Sequence, residues 1–189
     1  MHKSIVFLLL LFLSCGFRSQ TALSLPEFRI NELKTFLKGK NYNQDLAVFI
    51  NFKVHSGQYR YFIYDLKKDK IILRAIVSHG SGSVNKNSDA LTFSNSEGSH
   101  QSSLGKYEIK ESYVGKFGKA YRLNGLDITN NNAMNRAIVL HSYGCVPDKE
   151  SQTPACLSLG CPMLSFNALQ QTARYIDSSK QAVILYAFY

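Results

Sequence analysis

Residues 136–164 read RAIVLHSYGCVPDKESQTPACLSLGCPML and contain two side chains suited to covalent chemistry. The stretch opens with a β-rich run that ends at His141, continues through a polar loop and closes on SLGCP at residues 158–162. A cysteine attacks only as its thiolate, so it needs a nearby base or helix N-terminus to lower a pKa of about 8.5. We interpret Cys161 as the candidate nucleophile and His141 as its general base.

Gly160 precedes the candidate nucleophile, and a residue without Cβ lets a substrate carbonyl approach backbone N–H groups that could hold an oxyanion. Two other interpretations stay open from the residues alone. Cys161 could be a small buried hydrophobe beside a structural His141, or both could join Cys145 and Cys156 in a tetrahedral zinc site. The ligand types suit zinc, but the paired C-x2-C spacing that makes such a site convincing is absent from the sequence.

Outward from this stretch, residue periodicity predicts a mainly β domain, either a sandwich or a barrel. Apolar and β-branched runs typical of strands occupy residues 46–53, 59–66, 71–79, 106–110, 120–123, 136–141 and 182–189. The first three should form an antiparallel meander, and the strongly apolar last run should be a central strand. Residues 80–103, rich in Gly, Ser and Asn, are too long for a hairpin and predict a functional loop.

Two helices complete this expected architecture. The first covers residues 24–39, with a capping box at its start and Gly39 at its end. The second follows the candidate nucleophile and is capped by Ser165. The box consists of Ser24 and Glu27, and the expected apolar faces are Phe28, Leu33, Phe36 and Leu37 in the first helix and Phe166, Leu169, Ala173 and Ile176 in the second.

The N-terminus predicts export. Lys3 is followed by an apolar run from Ile5 to Leu13, which is typical of a signal peptide and short for a membrane-spanning helix. Residues 13–16 read LSCG and resemble a lipobox, which would leave Cys15 as a lipid anchor, whereas a plain cut near residues 19–20 would leave a soluble protein. We therefore expect a periplasmic protein or an outer-envelope lipoprotein.

Charge and cysteine count narrow the class of protein further. The net charge is +9, but Lys and Arg are scattered along the chain instead of clustered on one element, so a nucleic-acid partner is not expected. A cationic protein beside an anionic cell envelope fits better. Of four cysteines, Cys15 lies in the export signal, which leaves an odd number in the domain. Cys145 and Cys156 flank a polar loop and could form a disulfide, leaving Cys161 free.

Six separated segments carry a resemblance to a known family. They are VSHG (77–80), FSNSEGS (93–99), QSSLGKY (101–107), LNGL (123–126), RAIVLH (136–141) and SLGCP (158–162). In this order they resemble the murein L,D-transpeptidase catalytic domain family, the YkuD-like enzymes, in the branch whose nucleophile motif reads S-x-G-C-P. The resemblance covers residues 45–189 and implies a β-sandwich of mixed strands. The residue patterns place a signal at 1–20 and a helix with linker at 21–44 before it.

Membership of that family would imply a thiol mechanism on peptidoglycan stem peptides, with no cofactor and no metal. The cysteine attacks the carbonyl of the L-centre of diaminopimelate in a tetrapeptide stem and expels D-alanine, and an amine acceptor resolves the thioester. By resemblance, Cys161 is the nucleophile, His141 the base, the backbone around Ser142 orients the imidazole, and the N–H groups of Gly160 and Cys161 contribute to the oxyanion hole. Carbapenems should acylate such a thiol. The sequence does not set an oligomeric state.

The sequence departs from the better-known branch at Leu159, where that branch has a histidine in S-H-G-C. Tyr143 or His79 could take over the role of that histidine, and we predict that both, together with Ser158, contact substrate. Two alternatives stay open. Water could replace the amine acceptor, which would make the enzyme an L,D-carboxypeptidase, or the domain could be a non-catalytic peptidoglycan-binding envelope protein.

Overall fold

The computed structural model describes residues 25–189, so the predicted signal sequence, Cys15 and Ser24 lie outside the described part of the chain. Eight strands form one mixed sheet in the order β3-β2-β1-β8-β4-β5-β6-β7. The strands are β1 (Leu46–Asn51), β2 (Tyr61–Asp65), β3 (Lys70–Ala75), β4 (Gly105–Gly115), β5 (Gly118–Gly125), β6 (Val139–Ser142), β7 (Met163–Leu164) and β8 (Ile184–Phe188). The helices are α1 (Glu27–Leu37) and α2 (Phe166–Asp177), and a 3-10 turn covers Ser81–Ser83.

The apolar C-terminal run forms a central strand, as predicted. Strand β8 pairs in parallel with β1 and antiparallel with β4, and all five of its residues are buried. Strands β1, β2 and β3 form the predicted antiparallel meander. A strand that is covered on both faces needs a continuous apolar sequence, and ILYAF supplies one.

The sheet nearly closes into a barrel. Beyond β3, the N–H of Ser78 donates to the carbonyl of Met163 on β7 (3.0 Å), and the N–H of Met163 donates back to Ser78 Oγ (3.0 Å). Two residues further along, Gly80 forms a parallel bridge with Ser158. These bonds bring the two ends of the sheet together beside the SLGCP stretch. The predicted class, mainly β with mixed strands and two helices, is confirmed.

The sheet is apolar on both faces because each face packs against other parts of the chain. The inner face, with Val48, Ile63 and Leu140 among its members, encloses the main core, which α2 completes through Leu169 and Ala173. The outer face of β1, β2 and β8 is covered by α1. Its contacts join Ile30, Leu33 and Leu37 of the helix to Phe49, Phe62 and Tyr186 of the sheet. Within residues 25–189, neither helix has the length and hydropathy needed to cross a membrane.

The helix ends both confirm and correct the sequence analysis. Ser165 caps α2, its Oγ accepting the N–H of Ala168 at 3.0 Å, as predicted. Helix α1 instead starts after Pro26 with no side-chain cap. Phe28 is 62% exposed. It precedes buried Leu37 by nine positions, about two and a half turns, so the two side chains lie on opposite faces of the helix. Phe166 is also exposed, at the first position of α2, where its ring lies near Gly144 at the surface.

Candidate active site

Ser158 holds the SLGCP loop in place through both its backbone and its side chain. Its backbone N–H donates to the carbonyl of His79 (2.9 Å), and its carbonyl accepts the N–H of Ser81 (2.7 Å). Its hydroxyl donates to the carbonyl of Cys161 (2.6 Å) and accepts the N–H of Gly160 (3.1 Å). Ser158 is buried, so the structure places this predicted substrate contact inside the loop, where it shapes the backbone around Cys161.

Gly160 is required by the conformation of this loop. Its φ is +118°, and a Cβ at this position would lie 3.0 Å from the carbonyl oxygen of Gln101 and 3.2 Å from Ile138 Cδ1. The carbonyl of Gly160 accepts the hydroxyl of Ser102 at 3.2 Å, which fixes the peptide plane. Because the N–H of Gly160 already donates to Ser158 Oγ, it can serve a substrate oxyanion only by exchanging that bond.

Cys161 is the free cysteine of the described residues, because Cys145 and Cys156 form the disulfide that their spacing suggested. That disulfide also occupies two of the four ligands of the alternative zinc site. The Sγ of Cys161 accepts the N–H of Val139 at 3.5 Å and lies 3.8 Å from the carbonyl of Ala137. Burial raises the pKa of the thiol, and the Val139 N–H and the positive charge of Arg136 oppose that rise.

His141 lies on β6 opposite Met163, two residues beyond Cys161, so strand pairing brings base and thiol to the same end of the sheet. Its Nδ1 is 3.0 Å from the carbonyl oxygen of Ser142. A carbonyl can only accept, so Nδ1 carries the proton and Nε2 keeps a basic lone pair. Burial lowers the pKa of His141, and the Ser142 bond offsets part of that effect. The imidazole is therefore neutral near pH 7.

Within the described residues, Cys161 and His141 are not hydrogen-bonded to each other, since the sulfur is turned toward Val139 and Ala137. In this conformation the thiol faces the carbonyl of Ala137 and does not donate to Nε2. Contacts of this kind are often long in ligand-free enzymes and shorten when substrate binds.

An aromatic pair covers the imidazole. The ring of Phe117 stacks on His141 with centroids 5.1 Å apart and planes at 25°, and Tyr143 meets Phe117 edge-on at 5.4 Å. Tyr143, predicted to contact substrate, is 45% exposed at this surface. Phe117 was missed by the sequence analysis. Its signal is a single aromatic residue between Gly115 and Gly118, at the tip of the β4–β5 hairpin.

His79 occupies a different environment from the one predicted. It is 5% exposed, and its Nδ1 lies 2.8 Å from Nη2 of Arg60. Burial, followed by the charges of Arg60 and His55, lowers the pKa of His79 to about 4. Its Nε2 is buried without a hydrogen-bond partner in the described chain. Arg60 takes one side of the ring, and the substrate contact through His79 stays a prediction.

Arg136 is a second residue that the sequence analysis did not select. It was predicted to begin a strand, but β6 starts only at Val139, and residues 130–137 form turns in which Ala137 has a φ of +52°. This turn directs the guanidinium to the SLGCP loop. There Nη2 lies 3.3 Å from the point that a Cβ on Gly160 would occupy. A signal existed in the sequence, since Arg136 precedes His141 by only five residues.

The mixed sheet is nearly closed, and a free cysteine and a histidine with a fixed tautomer lie at one end of it. This arrangement is consistent with a family of known enzymes. The L,D-transpeptidase catalytic domain family matches residues 20–188. The chain belongs to this family, and the resemblance noted in the sequence is confirmed. A search of curated protein sequences finds no match.

The chain is similar to solved structures at low sequence identity. The helical cell shape determining protein Pgp2 from Campylobacter jejuni is 16% identical with a TM-score of 0.50, over 87% of this chain and 55% of that one. An L,D-transpeptidase from Mycobacterium smegmatis is 10% identical with a TM-score of 0.44, over 77% and 59%. One from Xylanimonas cellulosilytica is 11% identical with a TM-score of 0.40, over 79% and 62%. The aligned part thus amounts to between 55% and 62% of these longer chains.

Proposed function

We propose that this chain is an exported cysteine acyl-transfer enzyme of the L,D-transpeptidase type, which acts on peptidoglycan stem peptides through a thioester at Cys161. The observation that carries the proposal is a free thiol in the SLGCP loop, at the same end of the sheet as a histidine whose Nδ1 is fixed by Ser142. Membership of the L,D-transpeptidase catalytic domain family supports the reaction type.

The proposed reaction assigns one proton-transfer atom and one nucleophilic atom. Nε2 of His141 takes the proton of Cys161 as Sγ attacks the carbonyl of the L-centre of diaminopimelate. The oxyanion faces the backbone N–H groups at residues 160 and 161, and the N–H of Gly160 exchanges its bond to Ser158 Oγ for one to the oxyanion. Collapse breaks the C–N bond, His141 returns its proton to the leaving amine, and D-alanine departs. An amine acceptor then attacks the thioester carbonyl and gives a proton to His141. The new C–N bond forms as the C–S bond breaks, and His141 returns the proton to Sγ.

The electrostatics of the site favour a neutral resting pair. Burial raises the pKa of Cys161 and lowers that of His141, so a thiol and a neutral imidazole coexist near pH 7. Proton transfer should accompany attack instead of preceding it. The rate should fall as the pH drops through the pKa of His141, and this acid limb should lie below the ordinary histidine value of 6.5.

Incubation with a tetrapeptide stem tests the proposal. The mature protein and a Cys161→Ala variant are each incubated with the stem, with and without an amine acceptor, and D-alanine and peptide products are measured. We expect D-alanine release by the unmodified protein alone. A cross-linked product identifies a transpeptidase, and a tripeptide alone identifies an L,D-carboxypeptidase. An absence of release, cross-linking and exchange contradicts the proposal.

A non-catalytic role in peptidoglycan binding is the second candidate, and Leu159 is the observation that favours it. The side chain is 68% exposed beside Cys161, at the position where the better-known branch has a polar histidine. An exposed apolar residue there could contact a ligand without taking part in chemistry. Equal retention of sacculi by the unmodified and Cys161→Ala proteins, with no turnover by either, would favour this role.

We also propose that the domain works outside the cytoplasm, as a soluble periplasmic protein or an outer-envelope lipoprotein. The apolar run after Lys3 supports export, and the Cys145–Cys156 disulfide suits an oxidising compartment. The mass of the mature N-terminal peptide tests this proposal. An acylated Cys15 supports the lipoprotein, a cut near residues 19–20 supports the soluble form, and an unprocessed Met1 contradicts export.

A further inference from the structure

Arg136 is tied to a single segment of the Gly- and Ser-rich loop. Its Nη1 and Nη2 groups donate to four acceptors, all of them neutral and all within residues 94–103. These are the carbonyl of Ser94 (2.8 Å), Ser103 Oγ (3.2 Å), the carbonyl of Gln101 (2.5 Å) and Ser99 Oγ (3.4 Å). Four hydrogen bonds from two nitrogens hold the guanidinium in one orientation, because this planar group cannot rotate without breaking them.

The same guanidinium lies against the SLGCP loop. Its Nη2 is 3.3 Å from the point where a Cβ on Gly160, the residue before Cys161, would lie. In the described chain, none of the ion pairs involves Arg136, so its charge is not neutralised by a carboxylate. A fixed cation without a counter-ion stabilises negative charge that develops nearby.

We propose that Arg136 is the positioning residue that supplies this fixed positive charge to the thiolate of Cys161 and joins the 94–103 loop to the nucleophile. Its four Nη hydrogens are already used by neutral acceptors, so an external carboxylate would have to displace those bonds. Arg136 therefore contributes the electrostatic effect of its positive charge on Cys161, and it anchors the loop. The inference rests on the proposed function, since it takes Cys161 as the nucleophile.

Alkylation of Cys161 by iodoacetamide across a pH series separates the electrostatic effect from the anchoring. Arg136→Met removes both, and we expect the midpoint of the alkylation profile to rise by about one pH unit, with about tenfold slower alkylation at pH 7. Arg136→Lys keeps the charge and loses most of the four bonds, so its midpoint should stay near that of the unmodified protein while its KM for a stem peptide rises. Arg174→Met, which removes an exposed arginine in the last turn of α2, controls for net charge.

A midpoint for Arg136→Met equal to that of the unmodified protein, in a variant with an unchanged melting temperature, overturns the inference. If Arg136→Met does not fold, Arg136→Gln supplies a second neutral side chain that keeps amide donors for the loop, and the same upward shift is expected. Alkylation needs no stem peptide, so the two proposals fail separately. A shifted midpoint without D-alanine release contradicts only the proposed function, and release without a shift contradicts only the role of Arg136.

Discussion

His141 and His79 are the two histidines that the sequence places at strand ends beside the candidate site, and their partners give them opposite properties. Both are 5% exposed. Nδ1 of His141 faces a carbonyl, which only accepts, so the lone pair of Nε2 is left for proton transfer. Nδ1 of His79 faces Arg60, which only donates, so its lone pair is already used and Nε2 carries the proton. Burial is therefore not what distinguishes a base from a structural imidazole here.

The difference originates in which strand lies next to each histidine. Arg60 lies just before β2, next to the segment after β3, and also donates from Nε and Nη2 to the carbonyl of Val77. A cation held there disfavours a second positive charge on His79. Among residues 25–189, no cation contributes to the lowered pKa of His141, and the ring of His141 contacts Phe117 instead. In the proposed reaction His141 takes a proton during turnover, whereas Arg60 keeps His79 neutral.

The largest expected effect is on turnover of a stem peptide by two matched variants. His141→Ala should lower kcat/KM by about 10²- to 10⁴-fold, the usual range for loss of a general base. His79→Gln keeps an acceptor for Arg60 and should change kcat/KM by no more than a few-fold. Steady-state kinetics on folded variants, checked by circular dichroism, measure both. Comparable losses in the two variants would break the distinction between the histidines.

The second effect concerns stability in acid. The pKa of His79 is about 4 in the folded protein and 6.5 in an unperturbed histidine, so the unfolded chain binds a proton more readily between those values. Stability from this group is complete above about pH 6.5 and is lost as the pH falls toward 4, by up to about 3 kcal/mol. Urea unfolding at several pH values should show this slope, and His79→Gln should reduce it. An unchanged slope in that variant would mean that other groups cause the loss.

The smallest effect concerns the aromatic cover of His141. Phe117→Ala exposes the imidazole to water, so the lowered pKa of His141 should rise toward its ordinary value and the acid limb should move to higher pH. The stacked ring also holds the imidazole in place. Its loss should raise the activation free energy by about 1 kcal/mol, which lowers the rate a few-fold. Phe28→Ala, at an exposed ring on α1, is the matched control and should leave the pH profile unchanged. A pH–rate profile for Phe117→Ala identical to that of the unmodified protein would exclude this role.

Local sequence rules predicted most of the fold. The meander, the central C-terminal strand and the Ser165 cap depend on periodicity and on a single capping side chain, both of which are encoded within a few residues. The two-residue strand β7 was missed because so short a run has no periodicity. The predicted start of β6 at Arg136 was wrong because an apolar pattern does not reveal that Ala137 adopts a positive φ.

The contacts around the candidate site could be predicted less well, because they join distant parts of the chain. Arg60 meets His79 across 19 positions, and Arg136 meets Gln101 across 35. No local pattern indicates that an arginine will take the lone pair of a particular histidine. The sequence predicted which residue types could support chemistry, and only the closure of the sheet assigned their partners.

Acylation of Cys161 by a carbapenem is the most direct test of the central claim, that His141 activates this thiol and His79 does not. The β-lactam presents a strained carbonyl to the nucleophile, and intact mass with peptide mapping locates the adduct. For the unmodified protein we predict one adduct, on Cys161, which forms at the same rate in His79→Gln and much more slowly in His141→Ala. An unmodified Cys161 after prolonged exposure, or equal acylation rates in all three proteins, would contradict the account.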